Sequence, residues 1–117
     1  MSEKGSTITA TVGEVKSISD VRMAYRKLLC DPVLAGATHN VSVYRLANPH
    51  NPADVQSSYH SDGEHGAGAH ISYLLHRRNK TNVIVFITRI YGGVHLGPKR
   101  FQLFEQAMDS VLAKLGN

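Results

Sequence analysis

The chain has one cysteine, Cys30, so it cannot form an internal disulfide. Its fold therefore does not depend on oxidation, and a cytoplasmic setting is the expectation. No apolar run approaches the roughly 18 residues needed to span a membrane. The opening Met-Ser-Glu-Lys-Gly-Ser lacks the apolar region of a secretory signal, so no membrane partner is expected. There is no internal repeat and no low-complexity tail. Acids are missing too: none lies between His65 and Phe104, although Arg77, Arg78, Lys80, Arg89, Lys99 and Arg100 all do. A half so basic is suited to an acidic partner, either RNA or an acidic protein face, or simply to solvation.

Motifs for catalysis and metal binding are also sparse. The chain has seven histidines, of which His60, His65 and His70 are spaced by five. Five steps turn a helix through about 140° from the starting face, whereas a helical metal pair needs a spacing of three or four. No metal and no cofactor are expected. Ser61, Asp62 and His60 or His65 are too close in sequence to form a triad by adjacency, because neighbours in an extended segment face opposite ways. No glycine-flanked serine elbow occurs. Asp62 and Glu64 are candidates for acid–base work, but their simpler role is to satisfy backbone N–H groups at a turn and favour a helix N-terminus.

What is present reads as one globular domain over residues 1–117, with 42% apolar and 19% charged residues. The organising stretch is Asn82–Phe101. Val83-Ile84-Val85-Phe86-Ile87 is a short apolar run suited to a strand covered on both faces. It leads through Arg89 to a turn at Gly92-Gly93, and Pro98 stands where a helix can begin. Upstream, Ile8, Ala10 and Val12 alternate with threonines as in a half-buried strand. Ser17 or Ser19 can cap a helix carrying Val21, Ala24, Tyr25, Leu28 and Leu29, which Asp31-Pro32 ends or interrupts.

Asn40–Ala47 and Asp54–Ser61 are predicted to form a hairpin at the sheet edge. A helix through roughly Asn79 follows, with Ala67, Ile71, Leu74 and Leu75 on its stripe. The last helix, Pro98 to about Leu115, aligns Phe101, Phe104, Met108, Val111, Leu112 and Leu115, with Gly116 past its end. The order β-α-β-β-α-β-α predicts an α+β fold, a two-layer sandwich of a four-stranded sheet with three helices on one face.

Gly92 and Gly97 have the spacing of a phosphate-binding loop, but Pro98 sits where such a loop needs lysine and removes an N–H. Nucleotide hydrolysis is not expected. A weaker reading survives, in which the helix start with Lys99 and Arg100, and Arg89 nearby, holds one phosphate of RNA. Alternatively, the glycines only serve a tight turn and the cations are solvated.

Three segments taken together resemble the IMPACT/YigZ family. They are Asp62-Gly63-Glu64 with Ala67-Gly68, then Asn82-Val83 through Thr88-Arg89-Ile90-Tyr91-Gly92-Gly93, and then Leu96-Gly97-Pro98-Lys99-Arg100-Phe101. The likeness extends upstream through Thr38-His39-Asn40 and Tyr44-Arg45, over about residues 7–115, and the last segment is similar to the eukaryotic IMPACT branch. The resemblance implies the fold of the second domain of ribosomal protein S5, with a left-handed βαβ crossover. It also implies a non-enzymatic role in translational regulation and the stress response. Relatives restrain the kinase of initiation factor 2 by binding its activator protein, and contact ribosomes and actin. The binding residues implied are Asp62, Gly63, Glu64, Arg89, Tyr91, Gly92, Gly93, Gly97, Lys99 and Arg100. Ser61 and Ile90 depart from the family pattern, which often has an acid and an aromatic there. The expectation is a rigid cationic face of Arg89, Lys99 and Arg100, docking a protein partner or, alternatively, RNA or the ribosome.

Overall fold

The computed structural model describes residues 2–3, 6–90 and 97–115. Its sheet has the order β1-β2-β5-β3-β4, with every neighbour antiparallel. The strands are β1 (Ser2–Glu3), β2 (Ser6–Glu14), β3 (His39–Asn48), β4 (Asn51–His60) and β5 (Val83–Ile90). The helices are α1 (Ile18–Leu29), α2 (Pro32–Ala35), α3 (Ala67–Arg77) and α4 (Arg100–Leu115), the last preceded by a 3-10 turn at Gly97–Lys99. The α+β class, the four long strands and their order along the chain are as the sequence predicts. The two-residue β1 is an addition at one edge.

The placement of the helices differs from expectation. Along β5, Val83, Val85 and Ile87 join a core with Ile71 and Leu75 of α3 and Phe104 and Met108 of α4. The intervening Ile84 and Phe86 join a second core with Val21 and Leu28 of α1. Alternate residues of a strand face opposite ways, so helices cover both faces and the one-face sandwich is corrected. Tyr25 of α1 sets its ring edge-on to Phe86, with centroids 5.1 Å apart, and its hydroxyl hydrogen-bonds Ser42. Burial on both sides is why β5 needs an unbroken apolar run instead of alternation.

This arrangement decides a point of topology. The β2–α1–β3 unit and the β4–α3–β5 unit each skip one strand, and they run in opposite directions across the sheet. Two such units with helices on one face would share a hand. With α1 and α3 on opposite faces, one of the two crossovers is left-handed, an exception to the usual rule.

Local signals explain the element ends. Ser17 Oγ accepts from Asp20 N–H at 3.1 Å and caps α1. Asp31 Oδ1 does the same for α2, whose first residue is Pro32. Two buried arginines hold α3 at its ends, and Arg45 serves the C-terminal one. Its Nη1 donates to the carbonyls of Leu75 and Lys80, both at 3.0 Å, and burial lowers its pKa from the ordinary arginine value. At the other end, Gly68 packs where a Cβ would lie 2.7 Å from Tyr59 and 2.8 Å from Ser61 Oγ. Gly68→Ala would improve helix propensity by up to about 1 kcal/mol, but overpacking costs about 1–3 kcal/mol. Chemical denaturation should show a net loss, and a gain would mean that Tyr59 and Ser61 move aside freely.

Candidate functional site

The site is built on one tight turn. Ser61 O accepts from Glu64 N at 3.0 Å, and Asp62 and Gly63 between them have φ of 50° and 83°. Positive φ at both central residues defines a type I′ turn, which Asp-Gly suits well. Asp62 Oδ2 then accepts from Asn40 N at 2.8 Å, and its carbonyl accepts from His39 Nδ1 at 2.8 Å. That second bond places the His39 proton on Nδ1. The turn is thereby riveted to the start of β3.

Glu64 follows and points inward, 4% exposed. Arg89 Nη1 donates to its Oε2 at 2.6 Å, and Arg100 Nε to its Oε1 at 2.8 Å. His39 Nε2 stands 3.9 Å from Oε2. Registry explains the convergence: His39 and Arg89 are direct partners across β3 and β5, so both emerge on the α3 face beneath the turn. Arg100 also donates from Nη1 to Gly97 O at 3.0 Å and lies 4.7 Å from the Phe101 ring centroid. Phe101 stacks with His70, the centroids 5.0 Å apart. One carboxylate thus ties together the turn before α3, the end of β5 and the start of α4.

Of the residues expected at a binding site, the fold gathers Asp62, Gly63, Glu64, Arg89, Gly97 and Arg100. Lys99 is exposed. Tyr91, Gly92, Gly93 and Leu96 lie outside the described residues, as does Gly116. The cationic face is corrected: Arg89 is buried against Glu64, and Arg100 spends its guanidinium on Glu64 and a backbone carbonyl. The phosphate reading at the start of α4 loses the same two cations.

Charge asymmetry along the sequence is partly offset in space. Arg78 Nη2 donates to Glu105 at 2.7 Å and to Asp109 at 2.9 Å. Desolvation lowers its pKa, but the bonds to those two acids outweigh it and the net shift is upward. Acids from either side of the acid-free stretch have folded back onto three of its six cations.

The turn acids do not cap α3. Its N-cap is Gly66, with φ of 80° and no side-chain cap bond, while Ser61 Oγ accepts from Gly68 N–H at 2.9 Å. Sequence reasoning passed over His39 as one histidine among seven. The available signal was its place in the upstream part of the family match. Each Glu64 oxygen is engaged by a guanidinium, so the arrangement braces three elements and does not present a base to a substrate.

Comparison with known proteins agrees with the motif. The model of the Impact N-terminal domain matches residues 4–112. The chain is 36% identical over 96% of its length to the IMPACT homolog of Schizosaccharomyces pombe, and 32% identical over 97% to human IMPACT. It spans 40% of the first relative and 35% of the second. Among solved structures, the two-domain translational regulator Yih1 is similar at 28% identity and TM-score 0.67, over 96% of this chain and 43% of that one. A hypothetical protein shares the fold at TM-score 0.81 and 16% identity, over 97% of this chain and 54% of that one. The chain belongs to the IMPACT family, through its Impact N-terminal domain.

Proposed function

We propose that the chain is a non-enzymatic, protein-binding domain of translational regulation that restrains the initiation-factor-2 kinase by engaging the kinase's activator. The observation that carries this reading is the likeness, along nearly all of the chain, to a translational regulator. The site supports binding over catalysis, because general acid–base work needs a carboxylate within reach of a substrate proton, and both oxygens of Glu64 are held by guanidiniums. The setting is cytoplasmic, in keeping with the lone Cys30. No metal or cofactor enters the proposal.

The partner is a protein and not RNA, since two of the three motif cations are already spent. Immobilised domain should retain purified activator, or ribosomes that carry it, at both low and high salt. Lys99→Glu should leave that retention nearly unchanged. RNA binding that falls a thousandfold or more between about 50 and about 200 mM salt would replace this reading with the nucleic-acid one. Retention of neither activator nor ribosome would remove the regulatory claim.

A further inference from the structure

Strand β4 is an edge strand of ten residues, and no strand lies beyond it among the described residues. Its side chains are exposed on both faces, with Val55 half-buried. A long bare edge offers a row of N–H and C=O groups to any other strand, and proteins usually blunt such edges with proline, lysine or bulges. Here those devices gather at one end. Pro52 sits near the start of β4, and the register shift falls opposite it, between Ala47 and Asn48. From Asp54 to His60 the edge has no proline, lysine or arginine.

The residues on this edge are arranged to match themselves. Tyr59, Ser57 and Val55 pair with Val43, Arg45 and Ala47 and so share the α3 face; Asp54, Gln56, Ser58 and His60 share the other. We propose that β4 pairs antiparallel with β4 of a second copy of this chain, about a twofold axis at Ser57, giving one sheet continuous across a homodimer. An axis normal to the sheet preserves its faces. Val55 then lies opposite the partner's Tyr59, a residue 54% exposed in the single chain, and Asp54 lies opposite the partner's His60.

The neighbouring registers are worse. An axis at Gln56 brings Pro52 into the ladder opposite His60, although proline has no N–H to give. An axis at Ser58 sets Asp54 against Asp62, a like-charge pair. Only the Ser57 register joins apolar to apolar and acid to histidine, and this self-complementarity favours a second copy over an unrelated strand.

The test is sedimentation equilibrium of the chain from micromolar to millimolar concentration. The average mass should rise towards twice that of the monomer. Ser57→Glu places two carboxylates face to face on the axis and should remain monomeric, while within one chain it lies opposite Arg45, so the monomer should melt close to the parent. In a Cys30→Ser background, Ser57→Cys should crosslink to itself on mild oxidation. Residues directly opposite in an antiparallel pair have Cα atoms roughly 4.5–5.5 Å apart, which suits a disulfide. Ala53→Cys, facing Ser61 in this register, should crosslink far less. Monomer at every concentration, a dimer indifferent to Ser57→Glu, or equal crosslinking of the two cysteines would overturn the proposal.

Discussion

Replacing Glu64 with glutamine is expected to destabilise the domain by about 3–5 kcal/mol, because it removes the carboxylate paired with buried Arg89. The same substitution removes the acceptor of Arg100, which is more exposed and adds less to the loss. In a domain of this size the change should lower the melting temperature by roughly 10 °C or more. Thermal and urea unfolding of the variant should agree on that figure. Lysine at position 89 is a poor substitute for arginine, because a point charge lacks the planar fork that reaches Glu64 Oε2 from the strand. A Glu64→Gln domain as stable as the parent would show that the cluster is incidental to the fold.

The second large effect belongs to the core. Phe104→Ala should cost about 3–5 kcal/mol, since this side chain is fully buried between α4 and the sheet. Removing the Tyr25 hydroxyl with Tyr25→Phe loses one bond to Ser42 on the opposite face and should cost only about 1 kcal/mol. Denaturant midpoints of the two variants provide the comparison. A Phe104→Ala loss as small as that of Tyr25→Phe would mean that α4 is a loosely held cover and not half of the principal core.

How much of this was legible beforehand depends on the range of the signal. The apolar run of β5 and the stripe of α4 are local, so periodicity located both, and Ser17 announced its helix by chemistry alone, whereas Asp31-Pro32, read only as the end of α1, also opens the short α2. Periodicity says which side chains turn inward, but not which face of a sheet a helix will cover. Placing α1 on its own face needed the alternation of Ile84 and Phe86 against Val85 and Ile87 to be read as two cores.

The site was legible as a set of residues and not as an arrangement. Asp62, Gly63, Glu64, Arg89 and Arg100 do converge, yet 25 and 36 residues separate Glu64 from its two arginines. No local rule pairs charges over such distances. Counted along the chain, six cations without an acid suggested a docking face. Folding brought Glu64, Glu105 and Asp109 onto three of them, and the apparent surface became a brace.

The most direct measurement is a double-mutant cycle between Glu64 and Arg89, using Glu64→Gln, Arg89→Met and the pair, with each stability taken from urea unfolding. A bracing carboxylate predicts a coupling energy of about 2 kcal/mol or more, within the range for buried charged neighbours. Additivity within about 0.5 kcal/mol would contradict it.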